Sequence, residues 1–209
     1  MWLEAQMKTA KLTVKLLTMV VMSLIALAAN SAAQAPQAPA RGAAPAAAPM
    51  TLTTNGWPDG DDIPVKYTQA AEQVSPQLAW TNAPANTQSF VVLMHDPDVT
   101  LNGTTDDQLH WLVWNIPATA TGLPEHVPQG SPLADGSMQV SASGTVYRGP
   151  GAPATGPKHH YTIEVYALDA KLDVQPAATW QETRASVWKA MQGHVRAKAV
   201  YAGLFHRPQ

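Results

Sequence analysis

Phe90-Val-Val-Leu-Met-His-Asp-Pro-Asp98, a polar stretch, and then His110-Trp-Leu-Val-Trp-Asn-Ile-Pro117 decide how the rest of the chain is read. Residues 90–94 are an unbroken apolar run of strand length, the pattern of a strand buried on both faces. The run stops at His95-Asp96-Pro97, because proline has no amide to give to a sheet ladder. A second apolar run opens at His110, continues through Ile116 and again ends at a proline. Paired as antiparallel neighbours across the loop 99–109, the two runs bring Asp96 and His110 to the same rim. A carboxylate and an imidazole at one rim make a polar site on a rigid support.

Outward from this pair the pattern stays that of short strands and turns. Before it, residues 50–53 alternate like an edge strand, and 55–60 are dense in turn residues. Residues 63–67 read as another short strand, and Leu78 and Trp80, two apart, share one face of a strand. After it, 119–142 is loop-like, with Gly122, Pro124, Pro128, Gly130, Pro132 and Gly136. The segment 147–157 is rich in glycine and proline, so its backbone can approach a ligand closely. Residues 159–168 read as a strand whose odd positions, His159, Tyr161, Ile163, Val165 and Ala167, face one way. Thr179-Trp-Gln-Glu182 is a capping box that opens a helix carrying Val187, Trp188, Met191 and Val195 at helical spacing, with Gly193 weakening it. Residues 198–206 read as a last strand.

Composition narrows the chemistry. The 209 residues carry 13 Lys and Arg against 15 Asp and Glu, with no basic stripe of the kind that binds nucleic acid. There is no cysteine, which excludes disulfides, thiolate catalysis, zinc–cysteine sites and a lipidated N-terminal cysteine. Residues 1–35 have the form of an export signal: Lys8, Lys11 and Lys15, then an apolar stretch over 16–29, then small residues suited to cleavage. The apolar stretch is short for a membrane span of roughly 20 residues. A cleaved, periplasmic or secreted protein with no stable membrane anchor is therefore expected. Residues 36–49, almost wholly Ala, Pro and Gln, read as a disordered linker, and 50–209 as one domain.

The polar residues at strand ends are Asp96, Asp98, His110, His159 and Tyr161. Imidazole N–H, phenol O–H and the amides around Gly149 and Gly151 are donors suited to a small anion such as phosphate. Asp96 fits as the group that fixes a histidine tautomer and keeps a cation toward the ligand. Asp98 suits either a turn cap after Pro97 or a ligand-facing role. His95, His126, His194 and His206 read as surface or satisfied core residues. Zinc is disfavoured because no His-x-His or His-Glu-x-x-His spacing occurs, and His159 and His160 point to opposite faces of a strand. Serine hydrolase chemistry lacks its Gly-x-Ser-x-Gly elbow. A carbohydrate-binding sandwich is disfavoured because Trp80, Trp111 and Trp114 lie within apolar patterns.

Asp96-Pro97-Asp98, His110 to Pro117, and Tyr147-x-Gly149-Pro-Gly-x-Pro153 followed by His159-x-Tyr161 together resemble the phosphatidylethanolamine-binding protein family. The resemblance is to its bacterial, Raf kinase inhibitor-like or YbhB/YbcL-like, branch. Ser75-Pro76-x-Leu78-x-Trp80, Tyr166-Ala-Leu-Asp169 and Gly193-His-Val195 match in the same order. The resemblance implies a mainly β fold with a few short helices: a large antiparallel sheet packed on a smaller one, with a helix near the C-terminus. It implies a non-enzymatic binding protein for phosphate, a phospholipid head group or another anionic small molecule, with a protein partner as a further expectation. The pocket carried over is Asp96, Asp98, His110, Gly149, Gly151, His159 and Tyr161, with no cofactor and no metal. Gly151 stands where bacterial members often have cysteine, and Val99-Thr100 where Ala-Pro is usual. Asp106 and Asp107 are expected to add negative charge near the rim and to disfavour a highly charged phosphate. A metal-assisted phosphoester hydrolase, or an inhibitor module with a vestigial pocket, is the alternative.

Overall fold

The computed structural model describes residues 48–209. The expected export signal, and all but the last two residues of the expected linker, lie outside the described residues. Among the described residues, eight strands and one α-helix follow in order: β1 (Thr51–Thr53), β2 (Leu78–Thr81), β3 (Ser89–Asp96), β4 (Gln108–Pro117), β5 (Gly122–Leu123), β6 (Met138–Val140), β7 (His159–Leu168), α1 (Trp180–Met191) and β8 (Val195–Phe205). They form a three-stranded sheet, β1-β2-β5, and a five-stranded sheet, β6-β4-β3-β7-β8. Every strand pairing in both sheets is antiparallel. The fold is the expected one.

β3 lies in the middle of the larger sheet, and its residues from Ser89 to Met94 are all buried. Period-two alternation sends Phe90, Val92 and Met94 to one face and Val91 and Leu93 to the other. The first face packs with Trp111, Val113, Ile163 and Val165 against Leu52, Leu78, Trp80 and Leu123 of the smaller sheet. The second packs with Leu112 and Trp114 against Leu172, Val174 and the α1 residues Val187 and Met191. A strand covered on both sides has no polar face to show, hence its continuous apolar run.

Three sequence expectations need correction. Residues 63–67 do not form a strand: Ile63 donates to the Leu204 carbonyl, and Val65–Tyr67 is then a 3-10 turn set up by Pro64. α1 stops at Met191, and Val195 belongs to β8. Gly193, with φ +81°, ends the helix rather than interrupting it, in the left-handed conformation that glycine adopts without a steric penalty. The long loop 119–142 contains the short strands β5 and β6. The helix start is as expected: the Thr179 hydroxyl accepts from the Glu182 amide, and the Glu182 carboxylate accepts from the Thr179 amide.

The β3–β4 pairing is irregular where His110 stands. Met94 pairs with Trp111 and His95 with Leu109, so His110 is an extra residue on β4. A second extra residue lies between the pairs Phe90–Ile116 and Val92–Val113. There Asn115 adopts φ +59° and exchanges two 2.8 Å hydrogen bonds with the Leu172 backbone. A bulge of this kind bends a strand and re-aims its side chains. Its effect is visible in the packing: Leu109 and Trp111, two apart, lie in different cores.

Candidate functional site

Asp96 is the last residue of β3 and is 2% exposed. One of its oxygens accepts from the Asp98 amide at 3.0 Å, across Pro97, in an Asx-type turn. The other accepts from His159 Nδ1 at 2.8 Å. β7 lies beside β3 in antiparallel register, so the start of β7 meets the end of β3 and brings His159 and Tyr161 to Asp96. The β4 bulge turns His110 to the same side. These four side chains line a common cavity of about 140 Å³ together with Gln69, Val99, Gln108, Arg148 and the 151–153 backbone. At about 30 Å³ per water in the liquid, that is space for a group of a few heavy atoms rather than a sugar chain or a peptide. The recess between residues 62–65 and 204–208 is larger, about 350 Å³, but its one lysine, Lys158, is already paired with Asp62.

The hydrogen bonds fix which atoms face the cavity. His110 Nδ1 lies 2.9 Å from the Arg148 carbonyl and 3.1 Å from that of Gly149. Carbonyl oxygens only accept, so Nδ1 carries the hydrogen and Nε2 is left toward the cavity. Burial pushes this imidazole below its ordinary pKa, against the smaller upward pull of the Arg148 carbonyl and the Asp96 charge. The ring stands edge-on to Tyr161, with centroids 5.0 Å apart. His159 likewise gives its Nδ1 hydrogen to Asp96, as expected of an orienting carboxylate, and keeps Nε2 free of protein partners among the described residues. The Tyr161 oxygen accepts from the amides of Gly151 at 3.1 Å and Ala152 at 3.0 Å. Burial, with Asp96 alongside, pushes the phenol up to about 12, so it stays protonated.

The glycine-rich wall differs from the sequence expectation. The Gly151 amide is spent on Tyr161, and that of Gly149 on Gln73 Oε1 at 3.3 Å. What comes close to these glycines is the protein itself. A Cβ on Gly149 would lie 2.5 Å from the Tyr67 carbonyl oxygen, and one on Gly151 would lie 2.3 Å from the Gln69 side chain. Gln69 in turn donates to the Gly149 carbonyl, and Arg207 donates to the Gly151 carbonyl and to Gln69, tying the wall down.

Asp98 is close by but points away from the cavity. Its carboxylate takes the backbone amide of His160 at 2.7 Å and the His160 ring at 2.9 Å, and that amide bond first of all holds it below the usual carboxylate range. Asp96, Asp98 and His159 each offer a ligand-type atom within 4.8 Å of the others. Of the three, Asp96 and His159 are hydrogen-bonded to each other, while the Asp98 carboxylate is bonded to His160. The expected acidic rim is also corrected. Asp107 lies on the opposite, helix-side face, paired with Arg184 of α1 and with His95, so its charge is compensated. Burial would raise its pKa, but those two partners hold it below the carboxylate range.

Sequence reasoning missed Arg148, which stands at the unassigned position between Tyr147 and Gly149. It lines the cavity, and its Nε is buried without a hydrogen-bond partner among the described residues. It also missed Gln69 and Arg207, whose role in bracing the wall has no local signature. An arginine beside a glycine in a turn-rich stretch was the one signal available.

A two-sheet β protein with a small, hydrogen-bonded cavity at the rim of its larger sheet is thus defined. The chain belongs to the phosphatidylethanolamine-binding protein family, in its YbhB/YbcL-like branch, and the family model for phosphatidylethanolamine-binding protein matches residues 53–206. A UPF0098 protein of Methanothermobacter thermautotrophicus is 40% identical over 160 residues, covering 76% of this chain and 99% of that protein. The Escherichia coli UPF0098 protein YbhB is 36% identical over 139 residues, covering 62% of this chain and 85% of YbhB. Among solved structures, Escherichia coli YbcL superposes with a TM-score of 0.63 at 27% identity, covering 77% of this chain and 99% of YbcL.

Proposed function

We propose that the protein is an exported, non-enzymatic binding protein that holds a small phosphate-bearing or otherwise anionic ligand, of the kind found on phospholipid head groups. One observation carries the reading: two imidazoles anchored through Nδ1, one on Asp96 and one on the 148–149 carbonyls, converge with Tyr161 and Arg148 on one small cavity. Family membership supports it, as do the signal-like features of residues 1–35. The ligand-contacting set is His110, His159, Tyr161 and Arg148, with Asp96 orienting His159, Gly149 and Gly151 forming the wall, and Asp98 holding the start of β7 through His160. A protein partner whose activity depends on the filled pocket is compatible with this role.

Titration calorimetry with inorganic phosphate tests the reading. His110→Ala and His159→Ala are each expected to weaken binding at least ten-fold, since each removes a group facing a desolvated anion. Affinity equal to that of the parent protein in both variants would remove the pocket assignment.

A further inference from the structure

The sign of each group facing the cavity is more specific than its polarity. Both imidazoles spend their Nδ1 hydrogens inside the protein, and the Gly149 and Gly151 amides are spent as well. His110 is 2% exposed, and charging it there is opposed by desolvation. Its neutral form turns a bare lone pair, at Nε2, toward the ligand. The charged and titratable groups around it are Asp96 from β3, His159 and Tyr161 from β7, and Arg148 from the wall. Asp96 adds negative charge beside this acceptor, while Arg148 supplies a cation whose Nη1 donates to Ser143 and whose Nε has no partner among the described residues. An acceptor beside a cation does not match an oxyanion stripped of all its hydrogens: one ligand oxygen would face a lone pair and be repelled.

We propose that the cavity selects phosphate groups that bring their own hydrogen, an unesterified or singly esterified phosphate in its hydrogen-phosphate form, whose P–O–H donates to His110 Nε2. This rests on the reading of the site as an anion pocket and narrows its ligand class. The remaining oxygens are left for Arg148 and Tyr161. Doubly esterified phosphates and sulfate, which carry no such hydrogen near neutral pH, leave the acceptor unmatched. A phosphodiester-linked lipid head group is then the poorer ligand, and a phosphomonoester the better one.

Calorimetry on the unaltered protein separates these ligands, using methyl phosphate, dimethyl phosphate, inorganic phosphate and sulfate between pH 5 and 8.5. Methyl phosphate is expected to bind at least ten-fold more tightly than dimethyl phosphate, and inorganic phosphate at least ten-fold more tightly than sulfate, at pH 6. Above the second pKa of a phosphomonoester, about 6, affinity for methyl phosphate should fall about ten-fold per pH unit. Close to one proton should be taken up per site, read from heats in buffers of different ionisation enthalpy. Equal affinity for monoester and diester, or a flat pH profile with no uptake, overturns the proposal while leaving the anion pocket in place. Proton uptake that accompanies sulfate and dimethyl phosphate equally places the hydrogen on the imidazole and also overturns it. Binding of none of the four would remove the pocket reading itself.

Discussion

Burial disfavours the charged form of His110, with a consequence for stability as well as for ligand choice. Its folded pKa lies below its unfolded value of about 6.5. Its stabilising contribution is therefore complete above that value and is lost as pH falls through the lower folded value, because only the unfolded chain takes up the proton in between. In the ligand-free protein the urea midpoint should fall between pH 7.5 and 5. His110→Gln should reduce that slope, and equal slopes in the two proteins would contradict the assignment. At this scale much of the site was legible. Asp96, His110, His159 and Tyr161 stand at the ends of apolar runs, and strand ends are where polar side chains converge. Arg148 was not legible, since an isolated arginine in a turn has no periodicity to place it. Gly149 and Gly151 were expected to let the backbone approach a ligand; residues 67–69, which reach them through tertiary packing, had no signal in the sequence.

The elements were readable where one local rule dominates. Thr179 and Glu182 form their capping box as the spacing required, and Thr179→Ala should cost about 1 kcal/mol, seen as a lower urea midpoint at unchanged slope. Ile63 to Tyr67 has strand-like composition, but Pro64 leaves only Ile63 bonded to β8. Gly193 reads the same way inside a helix or just beyond its end, so only the structure places it. Gly149→Ala is expected to be the more damaging change. Its methyl group meets backbone at 2.5 Å, which cannot rotate away. Overpacking of this sort costs typically 1–3 kcal/mol, and the displaced wall should carry the His110 anchor with it. Denaturation and phosphate titration should therefore both register Gly149→Ala, whereas Thr179→Ala should affect only the first.

In the whole domain, β3 separates two cores with different duties. The side facing the smaller sheet leads to the cavity, while the side facing α1 is fastened by Arg184 and His95 on Asp107. Arg184→Met would leave the Asp107 carboxylate with His95 alone in a largely buried place. A loss of about 1–3 kcal/mol in denaturant is expected, with phosphate affinity changed less than two-fold. A ten-fold loss of affinity would show that the two sides are coupled. The order of the larger sheet was not legible from sequence. Residues 63 apart, Asp96 and His159, meet because β7 inserts beside β3, and no local pattern encodes that neighbour.

The doubled residue in β4 makes the ligand site and the sheet separable properties of one strand. A chain shortened by a single residue between Leu109 and Trp111 could close this irregularity and leave only the one at Asn115 in the ladder with β3. The imidazole now aimed at the cavity would be gone, together with the bond from the Arg148 amide to the His110 carbonyl. Insertions and deletions at this one place, rather than substitutions in the core, are the mutations that would abolish binding while leaving a well-folded protein.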